Sequence, residues 1–249
     1  MSRLLYGEIM RILFLSDFHG NNYTAENFFR DMQDFHPDRV IFGGDVMGYY
    51  YGSDRIIDLL REYNVTCLLG NHDRMFLDVL DGIRTEESLI RKYGNSYLGA
   101  ESLLKEDNVH FLRSLSPQTE ITEGSLRMVF LHGSVEDPLN GRIYPDAVIN
   151  DPGPYSGIDY VFCGHTHHKM EKHIGKTTII NPGSIGQQRD GKGCTFLVFD
   201  TDSGEYALHE VRYDIESLVR DIDARESDPA MKKKLTEVLY RKPDYRKTT

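Results

Sequence analysis

Five short apolar runs in this chain each stop at side chains that bind metals: Asp17 and His19, Asp45, Asn71 and His72, His132, and His165 with His167. The first run, Ile12-Leu13-Phe14-Leu15, is too short for a helix and apolar on both alternating faces, as in a strand buried within a parallel sheet. In open α/β sheets the sites form beyond the carboxyl ends of strands, so ligands far apart in sequence can meet at one place. This recurrence predicts an α/β fold with its site at the strand ends.

The remaining pattern fits that frame. A helical segment around residues 23 to 34 leads to a strand at Val40-Ile41-Phe42, which completes a β-α-β unit. A second helix is expected over 53 to 62 with Ser53 as its N-cap, and a third strand from Val65 to Leu69. Residues from about 74 to 114 read as helical and charged, with a break from Tyr93 to Gly99. After Pro117 the texture turns to strands: Met128 to Leu131, Tyr160 to Cys163, Lys169 to Ile174, Thr177 to Ile180, Thr195 to Phe199 and Tyr206 to Tyr213. With no repeat or linker, residues 1–249 read as one domain whose halves supply sheets to a common core. The Pro- and Gly-rich stretch from Gly133 to Gly157 is a long surface loop whose beginning, to Leu139, is expected to wall the site. The polar tail from about 241 to 249 is expected to fray.

Composition excludes several classes. A formal charge of −10 opposes general binding to nucleic-acid backbones or anionic membranes. No run approaches the ~18 apolar residues of a membrane span, and the N-terminal segment lacks the continuous apolar region of a signal peptide. Cys67, Cys163 and Cys194 are odd in number and lie in apolar runs, which predicts buried thiols in the reducing cytoplasm.

The ligand set is mixed oxygen and imidazole nitrogen without thiolate, which suits manganese, iron, zinc, nickel or cobalt, with Cys163 structural. In Asp17-Phe18-His19 and His165-Thr166-His167 an extended backbone would send both ligands of each pair to one side. Gly20, Gly44, Gly70 and Gly164 flank the ligands where the chain turns or approaches closely. Two carboxylates against two divalent cations leave a local charge near +2, so the cleft attracts phosphate although the protein is acidic. His36, His110, His168, His173 and His209 have no such company and are expected outside the cluster.

The order SDFHG (16–20), GGD (43–45), GNHD (70–73), LHG (131–133), CGHTH (163–167) and NPGS (181–184) resembles the calcineurin-like metallophosphoesterase superfamily over roughly residues 11 to 200, and in its spacings the small prokaryotic phosphodiesterases. The resemblance implies a sandwich of two mixed β-sheets flanked by helices, with a two-metal site at one end. By matched position, Asp17, His19 and His167 would hold one ion and Asn71, His132 and His165 the other, with Asp45 bridging both and His72 unligated.

Two ions of this kind, manganese foremost, can polarise a phosphoryl oxygen and hold a bridging hydroxide for in-line attack, while His72 serves as general acid to the leaving oxygen. The substrate would be a small phosphoester and the activity a phosphodiesterase. Protein phosphatases of the superfamily carry, three residues after the bridging Asp, an Asp that orients the catalytic His, and then an Arg. Here Gly48 and Tyr49 stand there, which weighs against that class and leaves the partner of His72 unassigned. Arg189, just after NPGS, is a candidate phosphate ligand. Two alternatives share the fold: a metal-binding interaction scaffold like the related retromer subunit, which lacks the catalytic His that this chain retains, and a nucleotide or dinucleoside polyphosphate hydrolase. The sequence leaves the oligomeric state open.

Overall fold

In the computed structural model, which describes residues 10–191 and 193–241, the chain opens with β1 (Arg11–Leu15), α1 (Asn22–Asp31), β2 (Arg39–Phe42), α2 (Ser53–Glu62) and β3 (Thr66–Cys67). The helical stretch comprises α3 (Asn71–Leu80), α4 (Glu86–Tyr93), α5 (Ala100–Leu103) and α6 (Glu106–Ser114). Then come β4 (Gln118–Glu123), β5 (Leu126–Leu131), β6 (Tyr160–Phe162), β7 (Lys169–Ile174), β8 (Thr177–Pro182), β9 (Thr195–Asp200), β10 (Tyr206–Glu210), α7 (Ile215–Arg225) and α8 (Pro229–Leu239).

The strands form two five-stranded sheets, ordered β10-β9-β1-β2-β3 and β4-β5-β6-β8-β7. Both are mixed. In the first, β1, β2, β3 and β10 run in one direction and β9, between β1 and β10, runs antiparallel to both its neighbours; in the second, β5, β6 and β8 run parallel, flanked by antiparallel β4 and β7. Alternation along β1 explains why its run is apolar throughout. Ile12 and Phe14 point between the sheets, where Phe14 packs on Phe130 and Phe162 with ring centroids 5.7 and 5.8 Å away. Leu13 and Leu15 point the other way, into the helices, beside Phe28, Ile56 and Phe76.

The structure departs from the sequence reading in places. Gly52, not Ser53, caps α2; Ser53 is the first helical residue and donates to Val46 O at 3.2 Å. The third strand shrinks to two residues. β4 escapes notice because it is a polar edge strand, and α7 and α8 because each buries only two residues. Their signals are the caps: Asp214 accepts from Ser217 N and Asp228 from Ala230 N. The Pro-rich loop covers the outer face of the second sheet, with Ile143 and Tyr155 packed among Val129, Leu131, Val161 and Ile179. The tail from 242 onward lies outside the described residues. Among those residues no helix is long and apolar enough to cross a membrane.

Candidate metal centre

β1, β2, β3, β5 and β6 all end at the same rim of the sandwich, and each releases its ligands in a tight turn. The extended backbone expected at Asp17/His19 and His165/His167 is not found. Asp17, His19, Asp45, His165 and His167 instead adopt the left-handed region, with φ of 65°, 51°, 65°, 67° and 59°. Such residues cost of order 1–3 kcal/mol each and persist only where the surroundings enforce them. Here the turns lock one another. Asp17 N donates to Gly44 O at 2.9 Å, His19 N to Asp45 O at 3.0 Å and Gly164 N to His132 O at 3.1 Å. Asp73 ties the same loops: its carboxylate accepts from Gly70 N, Asp45 N and Met47 N at 3.0, 2.9 and 2.9 Å. At Gly70 a Cβ would lie 2.1 Å from Asp45 Oδ1, so this approach requires glycine.

The turns bring all seven expected ligands together. Asp17, His19 and His167 form one triplet with donor atoms within 4.8 Å of one another, and Asp45, His132 and His165 form another. Asp45 Oδ2 lies between them, 3.6 Å from His19 Nε2 and 3.4 Å from His132 Nε2. Asn71 Oδ1 is 3.0 Å from His132 Nε2. His72 also forms a compact group with His19 and Asp45, so its placement alone does not exclude it as a ligand.

The donor set fits cations. His19, His132 and His167 each direct Nδ1 at a backbone carbonyl, of Met47, Gly43 and Gln187, at 2.8, 2.8 and 2.6 Å. A carbonyl only accepts, so Nδ1 carries the hydrogen and Nε2 faces inward, presenting its lone pair in His19 and His167 and, once the ring gives up its second proton, in His132, as in metal-binding histidines. His19 Nε2 and His167 Nε2 then face each other at 2.9 Å, and His132 Nε2 faces the Asp45 carboxylate. His165 Nε2 is buried without any hydrogen-bond partner. Converging lone pairs and carboxylates are stable together only around positive charge.

The protonation pattern expresses the same deficit. Burial pushes the His19 imidazole down to about 4 and that of His165 to about 3. Burial also acts downward on His132, but Asp45 and Asp17 outweigh it and raise the ring to about 9. Burial raises the Asp17 carboxyl, whereas at Asp45 the histidines, His132 first, outweigh burial and hold the carboxyl well below its usual range.

Beside this cluster, His72 N donates to Asp45 Oδ1 at 2.7 Å, and its ring Nδ1 is 2.8 Å from the Tyr97 hydroxyl. Both side chains are buried. Tyr97 is a contact the sequence does not announce, because it sits in the break between α4 and α5 and belongs to no motif. Gly48 makes room for it: a Cβ there would lie 2.4 Å from His72 Nδ1 and 2.9 Å from Tyr97 Oη. Burial holds His72 well below the usual histidine range, opposed by Asp45. Arg189 is half-buried and donates to Tyr49 Oη at 2.8 Å and Gln187 Oε1 at 3.3 Å. Ser184 of NPGS donates to Asp17 O at 2.8 Å and accepts from Gln187 N at 2.7 Å, bracing the first triplet rather than joining it. Cys163 is buried, its thiol pushed up to about 12 by desolvation.

Outside the cluster, His168 bonds Thr166 O, His173 pairs with Glu171 at 3.0 Å and His209 packs on Phe35 and Phe196. The loop turns tightly straight after His132, with Gly133 N donating to Pro138 O at 2.7 Å and Ser134 N to Asp137 O at 2.9 Å.

Comparison with known proteins agrees with this architecture. Residues 10–204 match the family model of the calcineurin-like phosphoesterase superfamily domain. An uncharacterised protein of Methanocaldococcus jannaschii is 28% identical over 225 residues, covering 82% of this chain and 88% of that protein. A metallophosphoesterase from Sphaerobacter thermophilus superposes with a TM-score of 0.71 at 23% identity, over 93% of this chain and 100% of that one. A hypothetical protein from Pyrococcus horikoshii gives 0.70 at 18% identity, over 93% and 98%.

Proposed function

The chain belongs to the calcineurin-like phosphoesterase superfamily, and on that premise we propose that it is a phosphodiesterase dependent on two divalent transition-metal ions, manganese foremost. The observation that carries this reading is the arrangement of inward Nε2 atoms around Asp45. Asp17, His19 and His167 would hold one ion and Asn71, His132 and His165 the other, with Asp45 shared. Bound there, the ions supply Lewis-acid chemistry, neutralising charge on the phosphoryl oxygens and lowering the pKa of attacking water.

The chain's own residues do the rest. Nδ1–H···O=C bonds fix the three imidazoles, so the donor geometry is set before substrate arrives. As the water oxygen attaches to phosphorus, the bond to the leaving oxygen breaks and its electron pair stays on that oxygen. His72 Nε2 gives that oxygen a proton, and the water's proton passes to solvent. Tyr97 holds the ring at Nδ1 and so orients Nε2. The anionic substrate beside His72 favours its protonated form and offsets the burial that keeps the free ring neutral. The products are a phosphomonoester and an alcohol.

The acidic net charge and the buried metal centre favour a small phosphoester over nucleic acid as substrate. Three free cysteines, two of them buried, suit a cytoplasmic setting. The test is hydrolysis of bis-p-nitrophenyl phosphate by the full chain. Activity should vanish with EDTA and return with manganese, whereas a chain inert with manganese, iron, zinc, nickel and cobalt but tightly bound to a protein partner would be a scaffold.

A further inference from the structure

Next to the metal centre lies a groove of about 150 Å³, with Tyr49 and Arg189 on one side and Lys234, Leu235, Val238 and Arg241 on the other. The second set follows the helical repeat, so one face of α8 and Arg241, two residues past its end, close the groove. This part of the chain lies beyond the span 10–204 that matches the superfamily. Three cations therefore converge on one small space. None of them is in an ion pair among the described residues, although Lys233 on the same helix pairs with Glu237.

Their hydrogen bonds go to neutral oxygens instead. Arg189 donates to Tyr49 Oη and Gln187 Oε1, Lys234 Nζ to Lys92 O at 3.2 Å, and Arg241 Nη1 to Arg189 O at 3.1 Å. Guanidinium and ammonium groups have further donors, which leaves several N–H groups for a ligand. In a chain of net charge −10, a cluster of cations without carboxylates is a local reversal of sign that draws anions. The groove also meets the centre at a defined place. The Tyr49 ring lies 5.2 Å from that of His72 and 4.7 Å from that of His19, and the Arg189 charge acts on both.

We propose that this groove is a subsite for a phosphate carried by the leaving group, so that the substrate is a phosphodiester whose leaving alcohol bears a second phosphate, as in a nucleoside 3′-phosphate esterified through its 5′-phosphate. The inference rests on the phosphoesterase reading above, in which the leaving oxygen lies at His72. At about 150 Å³ the groove has room for a phosphate and its nearest waters. The nucleoside would span from the centre to the groove mouth. On cleavage the leaving group departs with its second phosphate still bound to the cations.

Equilibrium dialysis of the manganese-loaded full chain against thymidine 5′-phosphate and thymidine 3′,5′-bisphosphate tests this. The bisphosphate should bind at least about tenfold more tightly, the worth of one charge-assisted hydrogen bond. That advantage should shrink in Lys234→Gln and Arg241→Gln and disappear in Lys234→Glu and Arg241→Glu, with folding checked by thermal melts. The bisphosphate should also inhibit bis-p-nitrophenyl phosphate hydrolysis competitively. Equal binding of the two nucleotides, an advantage that survives the charge reversals, or non-competitive inhibition would overturn the assignment. Hydrolysis by the same preparation separates the claims: an inactive protein defeats the phosphoesterase reading, whereas an active one without the bisphosphate advantage defeats the groove alone.

Discussion

Replacing Tyr97 with Phe keeps the buried ring and removes only the hydroxyl that meets His72 Nδ1 at 2.8 Å. A neutral hydrogen bond contributes about 0.5–1.5 kcal/mol net, but removing one partner so that a buried ring nitrogen is stranded where water cannot reach it costs about 1–3 kcal/mol. Folding should weaken by about 1–3 kcal/mol in consequence. The effect on rate follows from what the bond orients. A positioned general acid contributes ~10²–10⁴-fold, and an error worth about 1.4 kcal/mol costs a factor of ten. We therefore expect kcat on alkyl diesters to fall roughly tenfold to thirtyfold, with KM nearly unchanged. On bis-p-nitrophenyl phosphate, whose leaving group needs little help from a proton, the fall should stay below about threefold. The assay compares both substrates on the natural chain, Tyr97→Phe, His72→Ala and the double variant, each loaded with manganese. Because Tyr97 acts through His72, the double variant should be no slower on the alkyl diester than His72→Ala. Equal losses on the two substrates, or losses that multiply in the double variant, would refute the positioning role.

Two further outcomes follow from the same geometry. Asp45→Asn should reduce both ions together, because Oδ2 faces donors of both triplets, while His19→Ala should reduce one; metal analysis after dialysis reads the difference. Metal affinity at the His132 triplet should depend on pH. In the metal-free protein His132 is protonated up to about pH 9, and an ion must displace that proton, so affinity should rise about tenfold per pH unit toward 9 and level off above it. A flat profile between pH 7 and 9 would show that the ion displaces no proton from His132.

The parts of this site that the sequence discloses are those written in local pattern. Short apolar runs ending in Asp, Asn or His identify the strand ends, and the topology then brings Asp17 and His167 together. What the sequence conceals is non-local or conformational. The left-handed turns at Asp17, His19, His165 and His167 are enforced by hydrogen bonds from other loops, so two-residue spacing suggests an extended backbone that does not form. Tyr97 meets His72 only because α3, α4 and the turn at Asn95–Tyr97 fold back on one another, with Gly48 leaving room. The helices α7 and α8 carry long charged side chains around narrow apolar stripes, and a stripe of two buried residues is a weak periodic signal. Arg189 gains a context from α8 that no motif around NPGS provides.

The central claim is that the rim of this sandwich is built around two cations sharing Asp45. A crystal grown with manganese and measured at wavelengths on either side of the manganese edge tests it most directly. The account predicts two anomalous peaks about 3.5–4 Å apart, one among Asp17, His19 and His167 and the other among Asn71, His132 and His165, with Asp45 touching both and His72 neither. One peak at full loading, or a peak ligated by His72, would contradict it.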